Sequence, residues 1–344
     1  MAVAYTLDRK LEFEGRELGT GKTKPLVVRP NDLDPKLYGP GVYFARNGVI
    51  FPAKLSHAFH YKDDQYGFSC IGLGTGSGRI PGPEDPTVLK VEHVCAALYG
   101  AQIRDAIVEI QGPIVPRMEF NVSRLTAALI EHRIKSQYHI TLYTVNMSKS
   151  LEERTFSGSE GYTDKIIVEH RNSGGNLTVL YIAGYPYFPR SIGTQVYHAI
   201  ITPETFLNEI SAARGVVRRS KNFSVDELDK IGITNYNALF VDELKGILNP
   251  LPKEVKEWSN LFSSLGLNGI LTEKIVHLAE TEFVRHKLLD FLGPVFLLGS
   301  PLSDVEITVL HSGHRNDLEG NGAFIERGIW TPADSSESAR LSCR

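Results

Sequence analysis

The chain has 344 residues, 42% of them hydrophobic and 22% charged, which is ample apolar material for more than one core and unlike the composition of a disordered chain. Its 37 basic and 40 acidic residues leave a net charge of -3, so no global field draws it to nucleic acid or to an anionic membrane, and any anion must meet a local patch. Cys70, Cys95 and Cys343 stand far apart without CxxC spacing, so they offer neither a disulfide framework nor a thiolate zinc site and fit a reducing compartment.

The first residues carry Asp8, Arg9, Lys10, Glu12 and Glu14 where a signal peptide needs an unbroken apolar run. No stretch approaches the roughly 20 apolar residues of a membrane span, so a cytoplasmic, non-inserted protein is expected. After the turn Gly39-Pro40-Gly41, residues 42–45 and 48–52 read as short strands. An apolar helix is expected over 88–99, a strand over 106–110 closed by Gly112-Pro113, and an amphipathic helix over 122–134 bearing Leu125, Ala128, Leu129 and Ile134. A second strand series follows at 139–145, 165–170 and 176–182, and the turn Asn172-Ser173-Gly174-Gly175 predicts a hairpin between the last two. Residues 151–164, rich in Glu, Ser and Gly, read as a mobile loop or insertion, whereas Thr202-Pro203-Glu204 has the cap, proline and acid of a helix start. Strands followed by apolar helices in each half predict an α+β fold of two domains, 1–135 and 136–330, each a sheet packed on helices, with a flexible polar tail over 331–344.

Chemistry concentrates in three segments. Glu282 to Asp290 reads as a helix, and the spacing of four places His286 and Asp290 on one face, which suits an imidazole and a carboxylate on one zinc ion. An isolated pair at this spacing is more often a plain hydrogen bond. Glu92-His93 sets a carboxylate, a candidate base, directly before a potential ligand at the start of the first apolar helix; adjacent side chains diverge by about 100°, so both reach one centre only from a helix end or from different shells. His311-Ser312-Gly313-His314 leaves His314 in a loop that a reacting group can approach, although loop histidines are usually solvated. The glycine-dense run 72–78 lacks the GxxxxGK[ST] form and reads as a flexible loop, and Arg214, Arg218, Arg219 and Lys221 read as a solvated basic cluster.

In order, spacing and flanks these segments resemble the zinc-dependent UDP-3-O-acyl-N-acetylglucosamine deacetylases, which act in lipid A biosynthesis in Gram-negative bacteria. The likeness runs through most of residues 8–330. It is strongest at Val91-Glu92-His93, at Val108 to Pro113 with Val115-Pro116 and Met118, at Glu282 to Leu292, and at Ser312-Gly313-His314 with Asn316. It is weaker at Leu18 to Lys22, where Gly19 stands for a histidine, and from Asn237-Ala238 to Val241-Asp242. The resemblance implies one zinc per chain held by His93, His286 and Asp290, with Glu92 as the base, His314 as the acid or stabiliser, and Lys287 toward the sugar or its phosphates. It implies an active site at the junction of the two domains, an acylated sugar nucleotide as the small-molecule partner and no nucleic acid. It also implies a hydrophobic passage, placed loosely between Leu177 and Ile200, where Tyr181 to Phe188 serve equally well as core. A monomer is expected.

The departures fall on the substrate side. Gly215 stands for a threonine whose hydroxyl would meet the oxyanion, leaving only a backbone N–H for that contact, and Val216 stands for a phenylalanine. Pro294 replaces a carboxylate that would hold His314, strains the helix unless it ends near Gly293, and leaves Asp317 or Asp304 as substitutes. Glu119-Phe120-Asn121 replaces an Asp-Gly-Ser. These changes keep open a sibling zinc deacetylase acting on another N-acetylated, cell-wall sugar, and a zinc-holding binding protein without turnover; the retained base Glu92 speaks against the latter.

Overall fold

The computed structural model describes residues 2–63, 68–74, 86–146, 151–157, 163–184, 191–218, 225–242, 244–249 and 280–333. The first half runs β1 (Ala2–Leu7), β2 (Leu11–Arg16), β3 (Thr23–Arg29), β4 (Val42–Arg46) and β5 (Val49–Pro52). It continues with β6 (Ala58–Lys62), β7 (Ser69–Leu73), β8 (Val88–Leu89), α1 (Glu92–Gly100), β9 (Ala106–Ile110) and α2 (Ser123–Glu131). β10 (Arg133–Ile140) returns to pair with β1, and β11 (Tyr143–Val145) leads into the second half. There follow β12 (Leu151–Ser157), β13 (Thr163–His170), β14 (Leu177–Ala183), β15 (Gln195–Ile201) and α3 (Pro203–Thr205), which runs on into a π-helical turn, Phe206–Ile210. Then come β16 (Gly215–Arg218), α4 (Val225–Lys230), β17 (Ala238–Asp242), β18 (Gly246–Ile247), α5 (Glu282–Phe296), β19 (Val305–Leu310), α6 (His314–Glu326) and β20 (Trp330–Pro332).

The two halves share one topology. Their five-stranded sheets have the orders β2-β3-β9-β4-β5 and β12-β13-β19-β14-β15. In each, the neighbours are antiparallel except for one inner parallel pair, β4 with β9 and β14 with β19. Each sheet's four leading strands are followed by a three-stranded insertion, β6-β7-β8 or β16-β17-β18, then by a helix, the inner strand and a second helix. The expected α+β class holds, and α1 and α5 are equivalent helices of a duplicated unit. They pack directly on each other. Val94 through Leu98 are fully buried in α1, and in α5 every residue except Lys287 is buried, Glu282, Arg285, His286 and Asp290 included. Each fully buried leucine or valine contributes about 1.5–3 kcal/mol.

The approach is closest at Gly293, where an added Cβ would lie 2.7 Å from the Glu92 Cα and carbonyl oxygen. A methyl group there meets backbone, which cannot swing aside. Gly293→Ala should therefore cost about 1–3 kcal/mol by overpacking and separate Glu92 from Asp290; a urea titration with activity measured on the folded fraction checks both, and an unchanged midpoint and rate would contradict it.

Several expected boundaries shift. The helix expected over 88–99 begins at Glu92, because Val88–Leu89 pairs with β7 and Lys90 breaks the backbone with a φ of 65°. The helix expected over 122–134 stops at Glu131, since Arg133 onward forms β10, so the strand expected over 139–145 divides between β10 and β11. No hairpin joins β13 and β14: β19 lies between them, and the glycine turn is held instead by the Asp304 carboxylate, which accepts from Ser173 N and Gly175 N at 2.9 Å each. Residues 151–157, expected as mobile loop, form a strand paired with β13 that buries Phe156. At the far end Trp330–Pro332 pairs with β11, so ordered chain extends past 331. α5 runs through Pro294 to Phe296, and the missing N–H leaves the Asp290 carbonyl without its helical partner. Thr202 caps α3 as expected, accepting from Thr205 N at 3.1 Å. Tyr185 to Phe188, Arg219, Lys221, Cys343 and most of the run 72–78 lie outside the described residues.

Candidate metal centre and active site

Because α1 and α5 cross at Gly293, the first residues of α1 and the middle of α5 meet in the interior. His93 Nε2 lies 3.2 Å and His286 Nε2 3.4 Å from the same Asp290 oxygen, Oδ1, with the two imidazole rings edge-on at 5.1 Å. A donor atom from each of these three residues lies within 4.8 Å of the others, a set able to hold a metal ion. The same holds for Glu92, Asp290 and His314. His314, the first residue of α6, places Nε2 3.8 Å from Asp290 Oδ2. Glu92 is 1% exposed and is fixed by the Ile71 N–H, which donates to its Oε2 at 3.0 Å.

The tautomer of His286 bears on a metal. Its Nδ1 faces the Ala213 carbonyl at 3.3 Å, and a carbonyl only accepts, so the proton sits on Nδ1 and the Nε2 lone pair points toward Asp290. Burial drives its pKa down to about 3, which keeps the ring neutral. A lone pair aimed at a carboxylate is repulsive unless a cation joins them. A backbone carbonyl holding the outer nitrogen is also the usual support behind a metal-bound imidazole. The residues present therefore fit a zinc ion by donor type, by spacing and by orientation.

Electrostatics centre on Asp290. Burial pulls its carboxyl upward, but His286 and Lys287 beside it outweigh that and hold it well below the usual range. Lys287 places Nζ 3.0 Å from Asp290 Oδ2; burial opposes its charge, yet Asp290 keeps the ammonium above its ordinary value. His314 is lowered by burial, and its Nδ1 has no partner among the described residues. Neither proposed substitute for the carboxylate missing at Pro294 holds it: Asp304 serves the glycine turn, and Asp317, raised to about 7 by burial, accepts from Ser312 Oγ.

Gly215 begins β16 against this cluster. A Cβ there would lie 2.9 Å from Arg117 Nη2 and 3.6 Å from His286 Cε1. The strand is tied to α5 by Arg214, whose guanidinium meets the Glu282 carboxylate at 2.7 and 2.9 Å and donates to the carbonyls of Asn235 and Asn249. Arg214 is 3% exposed, so it is no member of a solvated cluster. Two residues escaped the sequence reading. Lys90 and Arg117 line a small cavity with His93, Asn121 and Asn237. Burial and Arg117 lower Lys90 to about 7, and burial lowers Arg117 to about 10. Their signal was a basic residue beside each of two strong motif segments.

Two imidazoles and a carboxylate brought together by equivalent helices, with a glutamate and a third histidine alongside, are the equipment of a metal-assisted hydrolase. The family model LpxC, UDP-3-O-acyl N-acetylglycosamine deacetylase, matches residues 4–257. Curated UDP-3-O-acyl-N-acetylglucosamine deacetylases extend the match. The protein of Geobacter sp. (strain M21) is 26% identical over 316 residues, 91% of this chain and 86% of its own. That of Nitratidesulfovibrio vulgaris is 24% identical over 349 residues, 98% of this chain and 94% of its own. That of Aquifex aeolicus is 24% identical over 302 residues, 88% of this chain and 86% of its own. The chain belongs to the LpxC family of UDP-3-O-acyl N-acetylglycosamine deacetylases. It is a deacetylase, a hydrolase of an amide bond on an acylated amino-sugar nucleotide. No helix among the described residues is long and apolar enough to cross a membrane.

Proposed function

We propose that His93, His286 and Asp290 hold one zinc ion and that Glu92 and His314 carry the proton transfers by which the N-acetyl group is removed from UDP-3-O-acyl-N-acetylglucosamine, a step of lipid A biosynthesis. The observation that carries this reading is the His286 Nε2 lone pair, fixed by the Ala213 carbonyl, turned onto Asp290. Zinc, when bound, supplies Lewis acidity for the water and the acetyl carbonyl. Glu92, held at Oε2 by the Ile71 amide, accepts a proton as a water oxygen bonds to the carbonyl carbon. His314 donates a proton to the sugar nitrogen as the C–N bond breaks, so the products are acetate and a free amine. Lys287 balances Asp290 and, beyond it, the substrate's phosphates. The protein acts as a monomer in the cytoplasm, where the sugar nucleotide is found.

Incubation of the zinc-loaded protein with UDP-3-O-acyl-N-acetylglucosamine should release acetate, with cell-wall amino sugars run in parallel. Release from a wall sugar alone, or from none, would overturn the substrate assignment. His314→Ala should lower the rate at least tenfold with zinc content unchanged, since its ring touches Asp290 only at 3.8 Å and lies outside the proposed ligand set. Rate measurement with metal analysis of the same sample checks this; loss of zinc would make His314 a ligand instead.

A further inference from the structure

Lys90 and Arg117 are two cations on the wall of one cavity; the buried Glu92 carboxylate attracts both from a distance, but neither makes a direct ion pair with a carboxylate among the described residues. Lys90 sits between β8 and α1 at a φ of 65°, a left-handed conformation that a lysine rarely takes. No hydrogen bond or ion pair forms at its ammonium among the described residues, while its backbone precedes Val91 and the buried Glu92. Arg117 lines the same cavity. Its Nη2 donates to the Asn237 carbonyl at 2.9 Å, a neutral acceptor, and among the described residues no other bond is made by its five-donor fork. The same Nη2 lies 2.9 Å from the empty Cβ position of Gly215, which in turn is 3.6 Å from His286 Cε1. The guanidinium thus occupies the space that a side chain at 215 would fill, at the edge of the ligand cluster.

Two like charges drawn together inside a protein repel, and Glu92 offsets their desolvation only in part, since burial outweighs it at both, so an anion in the cavity would complete the set. The cavity they share with His93 has an interior volume of about 20 Å³. A water needs about 10–15 Å³ by the same measure, so the space admits little more than one water-sized group, such as an oxygen of a carboxylate reaching in from the cleft, and excludes a nucleoside diphosphate. On its other side Arg117, with Met118 and Asn237, also walls an open cleft of about 1210 Å³. An anion held by Arg117 therefore stands between the centre and solvent.

We propose that Lys90 and Arg117 form a carboxylate subsite beside the ligand cluster, which receives the acetate released by deacetylation and hands it to the open cleft. The identity of the anion rests on the deacetylase reading above; the subsite itself rests on the two unpaired cations and the size of the cavity.

Binding of [1-13C]acetate to the zinc-loaded protein, followed by 13C line broadening, tests this without turnover. Lys90→Asn removes the charge while suiting the left-handed backbone, since asparagine takes positive φ more readily than lysine. Arg117→Gln removes the second charge. Each should weaken acetate binding at least tenfold with zinc content unchanged, and Arg117→Lys, which keeps the charge, should stay within about threefold of the native protein. Melting temperature identifies any variant that fails to fold, in which case the charge-keeping and charge-removing variants at the other position, Lys90→Arg against Lys90→Asn or Arg117→Lys against Arg117→Gln, decide. Absence of acetate binding by the native protein overturns the subsite. Equal binding by the native protein and the charge-removing variants also overturns it and places acetate on the ligand cluster alone. Inorganic phosphate binding more than tenfold tighter than acetate would show the wrong anion class. If the sugar nucleotide yields no acetate while the variants still lose acetate binding, the substrate assignment fails and the subsite stands.

Discussion

Purified Asp290→Ala protein should carry less than about a tenth of a zinc per chain and show no measurable deacetylation, the largest effect expected of any single change, because catalytic zinc sites rest on three protein ligands and two leave the ion to water. Asp290 is also the hub of the centre, meeting His93, His286, Lys287 and His314 through its two oxygens. Its removal strands the Lys287 ammonium among buried neighbours, which costs about 3–5 kcal/mol when a buried pair is broken. Loss of metal could then be blamed on unfolding. His286→Ala separates the two causes: it removes a neutral ring, leaves the Asp290–Lys287 pair intact, and should empty the site of zinc while circular dichroism stays native. Metal analysis of both proteins after dialysis decides. Full zinc occupancy in both would sink the ligand assignment.

What the sequence made legible follows from which interactions are local. The HxxxD spacing in α5 is a property of one helix, so His286 and Asp290 could be paired by counting, and they share one carboxylate oxygen's surroundings in the structure. Glu92-His93 was ambiguous because adjacent side chains diverge. Their position at the very start of α1, after the reversed backbone of Lys90, lets both face α5. Long-range pairing was not legible. Nothing near Asn172 to Gly175 shows that β19, more than a hundred residues later, inserts between β13 and β14, and the same blindness hid the duplication, whose matching strand orders share no obvious repeat of sequence. Arg214 read as solvated because basic residues cluster around it; only the fold brings Glu282 to it across β16 and α5. Lys90 and Arg117 each stand beside a strong motif segment, but their relation to each other exists only where the β8–α1 junction faces the segment after β9.

Glu92→Ala should retain zinc at the native level and lose between about a hundredfold and ten-thousandfold in rate, the range expected when a positioned base is removed. The argument starts from its neighbours. Its Oε2 is engaged by the Ile71 amide, and with Asp290 and His314 it forms a second possible metal-holding group, so geometry admits Glu92 either as base or as ligand. What favours the base is the arrangement around Asp290: its Oδ1 is approached by two imidazole nitrogens at 3.2 and 3.4 Å, while His314 on the Glu92 side stands farther off at 3.8 Å from Oδ2. The His93–His286–Asp290 set is therefore the tighter one, and Glu92 is left beside it with a fixed carboxylate and no ligand's task. Glu92→Gln sharpens the test, because it keeps the side-chain volume against Gly293 and can still take the Ile71 hydrogen bond through its amide oxygen, yet it cannot accept a proton at neutral pH. Both variants should bind zinc alike and be slow alike. Zinc lost from both would place Glu92 in the coordination shell, and a glutamine variant with near-native rate would remove it from the proton transfer altogether.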